Sequence, residues 1–181
     1  MTSDTEIGDI HPIADLQIEY SLISRGIEKD ILPTLRELGI GLTAYGVLSR
    51  GLISGHWSKA RENDGDFRSI NPRFQAENLD KNLQLVEQLR EQARAKGVSV
   101  AQLAIAWVLA KAKDIVPLVG ARRRDRLDES LGAFEVELAP SDVERIERTV
   151  PPGAAAGTRY NTYLMADLDS ENASSTVRRR P

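Results

Sequence analysis

The chain has 181 residues, two histidines and no cysteine, with 41% apolar residues, 28% charged residues and a net charge of −3. That balance suits one globular domain with a real hydrophobic core. It excludes disulfide and thiolate chemistry and gives no general drive toward nucleic acid or membrane surfaces. His11 and His56 lie far apart and flank no acidic ligand spacing, so no metal site is expected. No apolar run reaches the length of a membrane span, and the N-terminus lacks the basic-then-apolar layout of a signal peptide. A cytoplasmic α/β protein is the expectation.

Residues 1–12 are polar and aperiodic and read as a loose leader. Ile13 to Tyr20 suits a short strand. Glu28 to Leu38 follows helical spacing through Ile31, Leu35 and Leu38, and Gly39 supplies the stop. Pro33 belongs near a first turn, which moves the start later than Glu28. Ile40 to Tyr45 is the next strand, followed by a glycine- and serine-rich loop from Gly46 to Gly55.

A charged, irregular insertion from Ser58 to Arg73 carries turn signals at Asn63-Asp64-Gly65 and Asn71-Pro72. The strongest helix runs from Leu79 to Lys96, with Leu79, Leu83, Val86, Leu89 and Ala93 as one stripe. Ser99 and Gln102 make a capping-box signature before the apolar helix Val100 to Lys111. Ile115 to Val119 reads as a third strand, with Pro117 arguing against a fully paired interior position. Helices follow from Arg123 to Ala133 and from Asp142 to Thr149, the latter opened by Pro140-Ser141 with a second capping box to Glu144. The polar tail from Ala154 ends in Arg178-Arg179-Arg180 and is expected to be mobile beyond Met165 (residues 166–181). Strands alternating with helices imply parallel βαβ units.

Four motifs carry a family resemblance. Leu16-Gln17-Ile18-Glu19-Tyr20-Ser21-Leu22 resembles the sixth barrel strand of aldo-keto reductases, and Arg36 to Gly55 resembles the seventh strand and its loop. Ala101 to Leu109 is similar to the family's penultimate helix, and Val119 to Ala133 to the eighth strand's exit and following helix. The resemblance runs from about His11 to Asp169 in the family's order. It implies an α/β fold, a partial (β/α)8 TIM-type barrel with about three parallel strands, occupying residues 13–165. A full barrel of this type needs roughly 250 residues. The family's catalytic Asp, Tyr, Lys and His sit on earlier strands, and Tyr20, Tyr45, Tyr160 and Tyr163 have no matching lysine and histidine partners here.

What the resemblance implies for the surviving residues is a grip on NADP(H). A nicotinamide must be held flat while the cofactor supplies the electronics. Gln17, at the C-terminal end of the first strand, would bond the carboxamide, and Tyr45 would stack on the ring. The loop Gly46, Val47, Leu48, Ser49, Arg50 and Gly51 would approach the pyrophosphate, its backbone N–H groups closing on oxygens and Arg50 adding charge. The family commonly has serine where Gly46 stands and glycine where Ser49 stands; Ser49 offers a substitute hydroxyl. Gly120 and Ala121 lead into an arginine-rich helix start, which favours an anion. Arg122 and Arg126 would hold the 2′-phosphate, and Glu129 with Ser130 would face the adenine, where the family more often has asparagine for Ser130.

On residue type alone, Tyr45 reads as a half-buried strand aromatic and the arginine cluster as a solvated basic face. Asp125, Asp128 and Glu129 interrupt that cluster and argue against a nucleic-acid patch. Trp107 reads as core, Trp57 as either a tunnel lining or a packing residue, and His11 and His56 as loop residues. Three functional readings follow: the NADP-binding C-terminal portion of a carbonyl-reducing oxidoreductase, inactive alone; a nucleotide-binding module without turnover; and a half-barrel that self-associates or docks the complementary half through open strand edges. A carbonyl substrate is expected only when the missing strands complete the barrel.

Overall fold

The computed structural model describes residues 11–57, 67–166 and 168. Three short strands form its centre: β1 (Asp15–Glu19), β2 (Gly41–Tyr45) and β3 (Ile115–Pro117). They are parallel, in the order β1-β2-β3. The register pairs Gln17 with Thr43 and Thr43 with Val116, so these three share one face; Leu16, Leu42 and Ile115 share the other. Leu42, Ala44 and Ile115 are buried under helices. On the opposite face Gln17 is exposed and Val116 retains 61% of its accessible surface. Among the described residues, helices cover one side of the sheet, and the middle of the other is left open. In a closed barrel the uncovered side would point inward against the other strands.

Each crossover is built as its sequence dictates. Helix α1 (Ile31–Glu37) buries Leu32 and Leu35, and Pro33 sits in its first turn, where a missing N–H costs nothing. Gly39, at φ +67°, ends it: its N–H donates to the Arg36 carbonyl and that of Ile40 to the Leu35 carbonyl. This is the two-bond stop that a left-handed residue allows. The long helix α2 (Ala76–Ala95) buries Leu79, Val86, Leu89 and Ala93 as the stripe requires, together with Asn82. Helix α3 (Val100–Lys111) is capped by Ser99 and Gln102 in both directions. It is apolar all round because it is buried all round, with Val100, Ala101 and every residue from Leu103 to Val108 inaccessible.

Helix α4 (Arg124–Leu131) buries none of its residues and runs into a 3-10 turn at Gly132–Glu135. Helix α5 (Pro140–Thr149) starts earlier than its sequence suggested. Pro140 takes the first helical position, Ala139 is the cap, and the Asp142 carboxylate accepts from the Ala139 N–H. Ser141 therefore lies inside the helix, and the expected box from Ser141 to Glu144 does not form. Proline's fixed φ suits the first position, and alanine has no acceptor, so only the returning half of a box exists. Strand β3 stops at Pro117, although the Leu118 N–H still reaches the Ala44 carbonyl. A short helix α6 (Thr162–Met165) is capped by Asn161. Residues 1–10 of the expected leader, the turn at Asn63-Asp64-Gly65 and almost all of the expected mobile tail lie outside the described residues.

Trp107 anchors the core as expected, with Tyr20 packed against it at 5.3 Å between ring centroids. The indole N–H donates to Glu147 of α5, which also pairs with Lys111 at 2.8 Å and Arg25 at 3.2 Å. The Tyr20 hydroxyl donates to Glu28 at 2.6 Å. Burial, then this bond to Glu28, pushes the phenol above the ordinary tyrosine range.

Candidate functional site

The C-terminal ends of parallel strands are where a barrel collects its functional groups, because the loops that leave them are free to vary. β1 ends at Glu19 and β2 at Tyr45, and the two are register partners. Gln17 therefore lies in the middle of β1, not at its end; it shares the open face with Thr43, its register partner. The strand's terminal residue is a carboxylate, and Glu19 is only 2% exposed.

Tyr45 is half-buried. Burial first, and then a hydrogen bond with the Tyr160 hydroxyl, push its own phenol up to about 12. It stays a neutral ring with its oxygen tethered at any physiological pH. The loop beyond it folds back sharply: Gly46, Ser49, Arg50 and Gly51 all have positive φ, at +70°, +47°, +57° and +93°. A Cβ at position 46 would stand 3.0 Å from the Glu19 Cγ, so glycine fits where the family commonly carries serine. For Ser49 and Arg50 the left-handed backbone costs on the order of 1 kcal/mol or more each, and their surroundings must hold it.

Those surroundings are visible. Val47 and Ser49 are buried and Leu48 packs on the core, so the loop is anchored by its side chains. The Ser49 hydroxyl lies 3.2 Å from that of Ser21 on the buried side. The N–H groups of Ser49 and Gly51 donate to the loop's own carbonyls of Gly46 and Leu48, at 2.7 and 2.9 Å. Arg50 lies over the Tyr160 ring, 4.8 Å from its centroid, and 3.9 Å from Glu19.

Gly120, Ala121 and Arg122 are exposed ahead of α4. No side chain among the described residues caps that helix, whose cap position is Arg123. Arg126 is half-exposed and pairs with Glu129 at 2.9 Å, and the Ser130 hydroxyl donates to the Arg126 carbonyl. His56, most simply read as a loop residue, joins the two halves. Its Nε2 lies 2.9 Å from both Glu129 oxygens and beside the Arg126 guanidinium. Burial acts to raise the Glu129 carboxyl, but hydrogen bonds from Ser99, His56 and Arg126 outweigh it and hold the group below the usual carboxylate range. The loop after β2 and the start of α4 are thus tied together, while Gln17 stands apart on the sheet. Trp57 packs edge-on to Phe74 at 5.1 Å with Arg68 over its ring, a packing role.

A second set of residues gave no signal in the sequence. Arg73 and Arg159 are 6% and 2% exposed. Arg159 lies 3.5 Å from Glu19, while Arg73 donates to the Ser24 hydroxyl, which donates in turn to Glu19. Asn71 donates to the Arg159 carbonyl, and Asn82 bonds Arg73 and Ala156. Asn71 and Arg159 are 88 residues apart, Asn82 and Ala156 74, and Arg73 and Ser24 49, so no local pattern marks them. The nearest signal was Asn71-Pro72, read as a turn; Asn71 does cap the 3-10 turn Pro72–Phe74.

The profile of the Aldo/keto reductase family matches residues 6–150. A Glycine max protein described as probable aldo-keto reductase 1 is 43% identical over 155 residues, covering 86% of this chain and 45% of that protein. Among solved structures, a glycerol dehydrogenase from Gluconobacter oxydans superposes with a TM-score of 0.72 at 30% identity, over 83% of this chain and 48% of that one. A Klebsiella pneumoniae aldo-keto reductase in complex with NADPH shares the fold at a TM-score of 0.55 and 24% identity, over 80% and 43% of the two chains. The chain spans about half the length of these relatives.

Proposed function

Because the chain belongs to the aldo/keto reductase family, we propose that it grips NADP(H) for an oxidoreductase that reduces carbonyl compounds. The observation that carries this reading is the tie through His56, which joins the segment just after the Gly46–Gly55 loop to Arg126 and Glu129. This links two regions that the reading assigns to opposite ends of one dinucleotide. The residues present fit the group: α4 has an uncapped N-terminus, with Arg122 exposed just before it and Arg126 in its second half-turn. Free N–H groups, the helix dipole and a guanidinium together favour a phosphate.

In this reading Tyr45 offers its ring to the nicotinamide, and its tethered hydroxyl keeps that ring from turning. Gln17 orients the carboxamide from the sheet. The Gly46–Gly51 loop lies along the pyrophosphate, presenting Arg50 and such backbone donors as its own turns do not use. Arg122 and Arg126 receive the 2′-phosphate, with Glu129 and Ser130 toward the adenine. The cofactor, when bound, supplies the hydride. Proton delivery to a carbonyl requires the family's Asp, Tyr, Lys and His, which belong to strands outside those described. Tyr20 cannot stand in, since its hydroxyl is buried and committed to Glu28.

NADPH fluorescence titration tests the grip. The full chain should bind NADPH, and Arg126→Ala should weaken NADPH by about tenfold, the scale of one charge-assisted phosphate contact, while leaving NADH affinity unchanged. Equal loss toward both dinucleotides would remove Arg126 from the 2′-phosphate, and no binding by the wild-type chain would overturn the reading.

The uncovered sheet face supports a second element of the proposal. Ile13, Val116 and Leu118 each retain half or more of their accessible surface. The partner that fits this face is the remaining set of strands of a barrel, which would bury it and bring a carbonyl substrate to the nicotinamide.

A further inference from the structure

We infer that Arg159 and Tyr160 form a clamp from the C-terminal segment that positions Tyr45 and Arg50 for the nicotinamide half of the cofactor; this rests on the NADP(H) reading above. Tyr160 touches both members of the pair. Its hydroxyl bonds that of Tyr45, and its ring lies 4.8 Å under the Arg50 guanidinium. Those two contacts act on different parts of the grip: one stops the Tyr45 ring from rotating, the other holds Arg50 over the loop.

Arg50 needs such a hold. Its backbone sits at φ +57°, beside Ser49 at φ +47° and Gly51 at φ +93°. A run of left-handed residues containing two with side chains relaxes unless contacts over-determine it. Glu19 and the Tyr160 ring are two of the contacts that hold Arg50.

The clamp is itself anchored independently of any ligand. Arg159 is 2% exposed, its Nε lies 3.5 Å from Glu19, and its guanidinium lies 5.2 Å from the Tyr160 ring centroid. Its carbonyl accepts from Asn71 at 2.8 Å. Two residues earlier, Gly157 passes so close to Pro72 that a Cβ would meet the proline carbonyl at 2.8 Å. Asn82 then holds Ala156 by both its N–H and its carbonyl. The segment arrives at Tyr160 already fixed. Glu19 is shared, since it faces Arg159 and Arg50 alike, so the clamp and the loop close on one buried carboxylate. Tyr160 and Arg159 are positioning residues here; neither is assigned a contact with the cofactor.

Two ligands separate positioning from general support. NADPH spans the whole surface, whereas adenosine 2′,5′-bisphosphate reaches only the Arg126 and Glu129 end. Both would be titrated into the full-length wild-type chain and the Tyr160→Leu and Tyr160→Phe variants, with thermal melts recorded alongside. Tyr160→Leu removes ring and hydroxyl and should weaken NADPH by about tenfold, the combined scale of a cation–aromatic contact and a hydrogen bond. Adenosine 2′,5′-bisphosphate affinity should change by less than about twofold. Tyr160→Phe keeps the stack, loses only the Tyr45 bond and should show an intermediate loss of NADPH affinity; it decides the matter should the leucine variant not fold. Parallel loss of both ligands, or NADPH binding unchanged in both variants, overturns the clamp and leaves the NADP(H) reading intact. Failure of the wild-type chain to bind either ligand overturns the reading and the clamp with it.

Discussion

Asn82 occupies a position on α2 that helical spacing assigns to the apolar stripe, one turn after Leu79 and before Val86. Polarity would place it outside, yet it is 2% exposed. Its amide donates to the carbonyls of Arg73 and Ala156, each at 2.9 Å, and its oxygen accepts from the Ala156 N–H at 2.8 Å. Burying an amide is tolerable only because every capacity it uses finds a partner. Asn82→Ala would strand those groups without water to replace the amide. The expected loss is ~2–3 kcal/mol of unfolding free energy, the scale for orphaned buried polar groups, read from urea denaturation. A loss within ~0.5 kcal/mol, the range of ordinary surface changes, would show that water takes over the role. Asn82 also explains why this part of the molecule was illegible in the sequence. A buried asparagine and an exposed one look alike in periodicity, and what tells them apart is a tail segment 74 residues away.

Elements whose signals are local were readable. Gly39 and Gly97 stop α1 and α2 with left-handed turns, Ser99 and Gln102 close a reciprocal cap on α3, and Pro33 falls in a first turn. The misplaced box at α5 shows the limit of such reading: two overlapping cap signals, Pro140 and Ser141, compete, and proline's backbone preference wins. That same helix carries an electrostatic link no motif announces. Glu147 faces Lys111 at 2.8 Å and Arg25 at 3.2 Å, and it also accepts from the Trp107 indole. Burial pulls its carboxyl upward, but the Lys111 bond and the Arg25 charge outweigh burial and hold it below the ordinary glutamate range. A carboxylate depressed on folding stabilises the native state at pH values above its unfolded pKa, about 4.3. That contribution fades as pH falls through the lower folded value. Urea midpoints measured from pH 7 down to pH 3 should therefore fall more steeply for wild type than for Glu147→Gln below about pH 4.3. Parallel curves would place the acid sensitivity on other carboxyls.

At the scale of the whole molecule, the alternation of strands and helices and the four motifs were enough to anticipate a parallel sheet with helices on one side of a partial barrel. The pattern also anticipated association through open strand edges; what it does not contain is which side chains carry it. Val116 and Leu118 follow each other into the open face and its margin, exposed at 61% and 51%, with Ile13 at 51% before β1. An antiparallel sheet would alternate polar residues onto such a face; a parallel strand is apolar on both sides because both are normally covered. Here the covered side is filled by Leu42, Ala44 and Ile115 against the helices, while the other side sets Val116 beside the polar Gln17 and Thr43. Exposed apolar side chains on the edge strand β3 and just beyond it favour association. In a solution of the isolated chain, the surface available to cover them is the same face of another copy. Sedimentation velocity should show the weight-average mass rising with protein concentration, and Val116→Lys with Leu118→Lys should return it toward 20.0 kDa. Both side chains are already largely in water, so the double variant should keep its helix content by circular dichroism. A wild-type chain that stays monomeric at every concentration would mean that the residues outside those described, and not a second chain, cover the sheet.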